Sequence, residues 1–129
     1  MSTVNTPWLT ARPARLNLYQ PKAGDGCVLW LPGQDDAYSA TIRDRSGWKN
    51  NGAISGATWV RLPSGLWVLD FDGIDDIVTV TDAASIQSVF AGGCFVGCWI
   101  NADTVGENIQ GRLFNKVAWD FHIRDLSGS

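Results

Sequence analysis

At 129 residues the chain has the length of one ordinary domain, and 45% hydrophobic with 18% charged residues is too apolar for wholesale disorder. A net charge of −3 argues against general nucleic-acid binding, which draws on a basic field. No stretch approaches the roughly 18 consecutive apolar residues of a membrane span, so neither nucleic acid nor membrane is an expected partner.

Residues 1–24 are punctuated by Pro7, Pro13 and Pro21 and carry Arg12, Arg15 and Lys22 without an acidic side chain. With no sustained alternation, they read as an extended N-terminal arm. The first eight residues lack a charged start followed by an apolar run, so no secretory signal is expected.

The body, residues 25–129, has a different pattern. Cys27-Val28-Leu29-Trp30-Leu31 reads as a short buried strand stopped by Pro32-Gly33. From Arg43 to Gly52, Asp, Ser, Asn and Gly are dense enough to mark turns, and Asn51-Gly52 suits a tight hairpin. Leu66–Phe71 reads as a strand, Asp72-Gly73 as a turn, and Ile77–Thr81, β-branched throughout, as another strand.

The window Asp82–Val89 has room for one helical turn. Cys94–Ile100 is apolar on both alternating faces, which predicts a central strand covered on each side, with Trp99 buried and Trp48, in its turn, exposed. Arg112–Lys116 and Trp119–Ile123 complete the set. In the last, Trp119, Phe121 and Ile123 alternate with Asp120, His122 and Arg124, as in a half-exposed strand. Short strands between turn clusters, with no long amphipathic helix, predict an all-β sandwich or barrel.

The three cysteines do not form a disulfide scaffold. On a regular strand Cys94 and Cys98 lie roughly 13 Å apart, beyond the ~7 Å that a disulfide spans. Cys27 on a neighbouring strand is the one alternative partner. Buried free thiols are the preferred reading.

Three segments in order carry a family resemblance. Asp44-Arg45-Ser46-Gly47 with Asn50-Asn51-Gly52, then Leu69-Asp70-Phe71-Asp72-Gly73-Ile74-Asp75-Asp76-Ile77-Val78, then Phe95-Val96-Gly97-Cys98-Trp99-Ile100, resemble motifs of laminin-G-like jelly-roll domains of the concanavalin A-like superfamily. The resemblance spans residues 27–124 and implies an antiparallel β-sandwich, or jelly roll, with Phe71 and Trp99 in its core. It also implies a binding module, for glycans or proteins and in some members calcium. The superfamily's glucanases carry a Glu-x-Asp-x-x-Glu strand, whereas this chain has one glutamate, Glu107. Glycoside hydrolysis needs two flanking carboxylates, so no catalytic residue is assigned. Relative to the family the jelly roll looks incomplete, which implies a fragment, a compact variant that closes differently, or cover of its exposed edges by another chain.

Candidate sites follow from these turns and rings. Asp72, Asp75 and Asp76 are the metal candidates, because calcium takes six to eight oxygen ligands; the alternative is that they cap turns. No cofactor is required, and calcium is the one considered. Trp48 and Trp67 are the carbohydrate candidates, with a core role equally open for Trp59 and Trp67. His122, the only histidine, has no adjacent Ser or Cys partner and reads as a half-exposed surface residue.

Two functions fit. One is a structural or assembly module on a particle surface, a phage virion in the first place, forming a homo-oligomer or joining a larger virion protein. Arg12 and Arg15 of the arm would then pair with a neighbour's acidic turns. The alternative is a glycan-binding, lectin-like module of a larger secreted, extracellular protein.

Overall fold

The structure, a computed structural model, describes residues 26–103, 110–116 and 119–124. Arg12, Arg15 and Glu107 lie outside the described residues. The fold is mostly strand: β1 (Thr41–Ile42), β2 (Gly52–Ser55), β3 (Thr58–Arg61), β4 (Trp67–Asp70), β5 (Ile77–Val80), β6 (Gln110–Lys116) and β7 (Trp119–Arg124). Among the described residues a single helical turn, α1 (Ala84–Gln87), is present, and it falls inside the window expected for it.

All pairings are antiparallel. β2 lies between β1 and β5, while β3–β4 and β6–β7 form separate two-stranded sheets. Two of the expected strands stand as β4 and β5, and the two C-terminal ones as β6 and β7. The last pair bulges at Leu113, where the register steps from Arg112↔His122 to Phe114↔Phe121. Lys116 ties this hairpin back to the helical turn, donating to the Ile86 carbonyl at 2.7 Å and pairing with Asp82 at 3.2 Å.

Two glycines govern the crossing between the first sheets. Gly56 holds φ +82° in the two-residue link from β2 to β3, letting the chain leave one sheet and enter another. Gly52 pairs with Val80 on one side and Ile42 on the other, and a Cβ there would sit 2.5 Å from Val78 Cγ1 and 2.9 Å from Ile42 Cγ2. The absent side chain is what lets Leu31, Ile42 and Val78 converge. Ile42, 7% exposed, is the one fully buried apolar side chain among the described residues.

Four expectations are corrected. Asn51-Gly52 is not a hairpin tip, because Gly52 opens β2 and Asn51 turns its amide oxygen to the Asp44 N–H at 2.9 Å. Cys27–Leu31 is not a regular strand: the Trp30 carbonyl accepts from Arg45 N–H, but its own N–H goes to a side chain, the Asp44 carboxylate.

The third correction is the largest. Cys94–Ile100 belongs to no sheet, and Phe95 and Trp99 are 94% and 104% exposed. Cys94 and Cys98 are exposed as well, so they are free but not buried thiols. A central strand requires a neighbour on each edge and a layer on each face. Among the described residues no strand pairs with either edge of this run, and the face of Phe95 and Trp99 has no covering layer. Lastly, Phe71 is about half exposed, which removes it from a closed core.

Gly52→Ala forces a methyl group against two β-branched side chains that have little rotamer freedom. We expect a loss of about 1–3 kcal/mol, read as a lower urea midpoint at unchanged m-value.

Candidate functional site

The most ordered polar cluster centres on Asp44. Its carboxylate is nearly buried and accepts four hydrogen bonds. Oδ1 receives the N–H groups of Trp30 at 2.9 Å and Ser46 at 2.8 Å; Oδ2 receives the Ser46 hydroxyl at 2.7 Å and the Asn50 N–H at 2.9 Å. Lys49, at φ 59°, turns the chain so that Asn50 comes back to the carboxylate.

The Asn50 amide then donates to the Val28 carbonyl at 2.8 Å and the Ser85 hydroxyl at 2.9 Å, so the turn grips both the 27–31 segment and α1. Burial works to raise the Asp44 carboxyl pKa, but the N–H groups of Ser46 and Trp30, the Ser46 hydroxyl and the Asn50 N–H outweigh it and hold it below its ordinary value. Both oxygens of the Asp44 carboxylate are thus committed to donors of the chain itself. The Asp-x-Ser-Gly…Asn segment is therefore a structural clasp.

Asp36 acts in the same way in the preceding loop. Burial again opposes its charge, and the backbone N–H and guanidinium of Arg43 outweigh that cost, holding the carboxyl below its ordinary range.

The acidic turn brings one oxygen each of Asp72, Asp75 and Asp76 within 4.8 Å of one another. Two of these aspartates are already in use. Asp72 Oδ1 accepts from the Ile74 N–H at 2.8 Å, and Asp76 Oδ2 from the Asp72 N–H at 2.8 Å. These bonds are the turn-capping arrangement. Three converging carboxylates supply only some of the six to eight oxygens that calcium takes.

The aromatic candidates are separated. Trp48 stands on the 43–51 turn, 56% exposed, while Trp67 is half-buried at the start of β4. One face of Trp67 carries the Arg61 guanidinium at 5.9 Å from the ring centroid, and Tyr38 meets it edge-on at 5.1 Å. Gln34 substitutes for a strand neighbour: its side-chain amide donates to the Trp67 carbonyl and accepts from the Trp67 N–H, both at 2.9 Å.

Tyr38 is the residue that sequence reasoning missed. It holds φ 65° and is 82% exposed, at the rim of an open depression of about 410 Å³ whose walls include Ile54, Thr58 and Trp59. Its left-handed backbone leaves no signal in a sequence.

His122 lies on β7 with Nδ1 3.4 Å from Asp120 Oδ2, outside hydrogen-bond geometry, and Arg112 Nε stands 4.0 Å from the same oxygen. Arg112 and Asp120 thus stand as a loose, solvent-exposed ion pair across the β6–β7 ladder, with His122 beside them.

No protein-family model, curated protein or solved structure matches this chain. The comparisons assign no family. The laminin-G-like resemblance thus rests on the motif residues alone, and of these the Asp44–Asn50 group has a clear structural role.

The low carboxyl pKa values make stability depend on pH. Asp44 and Asp36 have folded-state pKa values below the unfolded one, so their stabilisation is complete above the unfolded value of about 4 and is lost as pH falls through the folded value. Stability measured by urea titration should therefore decline below about pH 4. Asp44→Asn, which aims an amide N–H₂ at N–H donors, should cost about 2–3 kcal/mol at pH 7 and make the acid decline shallower.

For the acidic turn, Asp72→Ala and Asp76→Ala should each cost about 1 kcal/mol in excess chelator through lost caps. A calcium site would add a wild-type melting temperature that climbs with calcium concentration. A melting temperature equal in chelator and calcium leaves capping as the whole role.

Proposed function

We propose that this chain is a non-catalytic structural module that assembles on the surface of a particle, a phage virion in the first place, with a body corresponding to the earlier strands of a laminin-G-like jelly roll. The observation that carries the reading is the uncovered apolar segment 94–100, continued by the half-exposed rings of Phe90 and Phe121. Apolar patches of this kind on a soluble chain are places where another surface belongs. The cover comes from a second copy of the chain or from a larger virion protein.

The basic arm supports the same reading by charge. The turn at 72–76 is exposed and acidic, and its hydrogen bonds are all to its own backbone. Arg12 and Arg15 of a neighbour are suited to meet it, giving an association that weakens with salt. The particle-surface setting follows from the resemblance, since modules of that type work outside cells.

A glycan-binding role in a larger secreted protein is the second reading. Tyr38 favours it, because its exposed ring abuts Trp67 beside an open depression of the kind a sugar face enters. In that case mixed glycans should quench tryptophan fluorescence, and Tyr38→Ala should abolish the effect.

Size-exclusion with light scattering tests the assembly reading. The full chain should elute well above its 14.0 kDa monomer mass. Deletion of residues 1–20 should lower that mass while the β circular-dichroism spectrum persists. Stable monomers for both forms at high concentration would contradict assembly.

A further inference from the structure

Residues 94–100 are seven positions without a charged side chain. Cys94 and Val96 line a depression of about 300 Å³ together with Phe90, Trp119 and Phe121, so this face of the run looks toward β7. Phe95 and Trp99, of the opposite parity, are almost fully exposed. The run thus has the two-faced alternation of a strand, yet it belongs to no sheet.

Resting on the assembly reading, we infer that the cover is a second copy of the chain, and that the two 94–100 runs pair antiparallel about a two-fold axis at Gly97. An interface of this symmetry must be self-complementary. Pairing about Gly97 sets Phe95 opposite Trp99 of the partner subunit, and Val96 opposite Cys98 of the partner subunit. Each contact then occurs twice. Aromatic cross-strand pairs are among the favourable ones, and the rings flanking the two central glycines cover the backbone those glycines leave bare.

Charge favours this run over the open edge of β5. β5 is bracketed by Asp75 and Asp76 before it and Asp82 after it, so pairing with its own copy would bring carboxylates together. The 94–100 run sets no like charges opposite one another. Seven paired residues extend only about 23 Å. A stable interface buries about 1,600 Å² in total, so the adjoining Phe90 and Phe121 surface belongs to the contact too.

Opposed residues of an antiparallel pair have Cα atoms about 4.5–5.5 Å apart, inside the range of about 4.4–6.8 Å that a disulfide accepts. The test uses the full chain with Cys27→Ser, Cys94→Ser and Cys98→Ser, adding either Gly97→Cys or, as control at an exposed turn, Ser64→Cys. Under mild oxidation Gly97→Cys should run mostly as a covalent dimer and Ser64→Cys mostly as a monomer. Trp99→Asp in the otherwise unaltered chain should shift the light-scattering mass to the monomer while the β spectrum is kept.

Oligomers in which Gly97→Cys does not cross-link and Trp99→Asp changes nothing would overturn this pairing and leave the assembly reading standing. A chain that gains mass only with a different protein would likewise overturn the second-copy assignment. Monomers at every concentration, with no partner required, would overturn both.

Discussion

A single carboxylate organises the N-terminal half of this fold. Asp44 stands where three stretches of chain meet, and its four accepted hydrogen bonds fix Trp30, Ser46 and Asn50 about one point. Through Asn50 the same clasp reaches Val28, 22 residues back, and Ser85 of α1, 35 residues ahead. Burying a charge without a cation is costly, and full satisfaction by donors is what makes it tolerable. The arrangement exchanges a substantial apolar core for a polar one: among the described residues only Ile42 is a fully buried hydrophobe.

That reliance on polar ties explains how the two ends of the described chain differ. From residue 28 to 80, small sheets are held by side chains acting as backbone partners: Asp44 for Trp30, Gln34 for Trp67, and Asp36 for Arg43. Past α1 such ties are fewer. The β6–β7 hairpin rests on Lys116 and on the edge-to-face contact of Phe90 with Trp119, at 4.5 Å between centroids. Segment 94–100, lying between them in sequence, joins no sheet among the described residues. The apolar surface is concentrated where the polar clasps run out.

Much of the fold was legible wherever the signal was local. Ile77–Val80 declares itself through β-branching, and Trp67–Asp70 and the two C-terminal strands through apolar runs between turn residues. β2 and β3 were not legible. Gly52, Ala53, Ser55 and Gly56 look like loop, and the strands form because Gly52 admits Ile42 and Val78 from either side. The Asp44 turn was visible as a turn, but its partners lie up to 14 residues away for the carboxylate and 35 for Asn50, beyond any local pattern. Trp99 failed for a further reason. Alternation reports which faces are apolar, whereas burial depends on a neighbour that one chain need not contain. The sites were legible only as residue types: the three turn aspartates do converge, and the two tryptophans stand on different elements.

In the proposed assembly the 94–100 run is a strand completed by a neighbour. Amide hydrogen exchange across a protein-concentration series measures this directly, because a strand ladder protects its amides only when it is formed. Such pairing should give slow exchange in residues 94–100 at high concentration and rapid exchange on dilution, with the Asp44-clasped amides of Ser46 and Asn50 protected at both. Rapid exchange throughout 94–100 in the fully associated protein would contradict it.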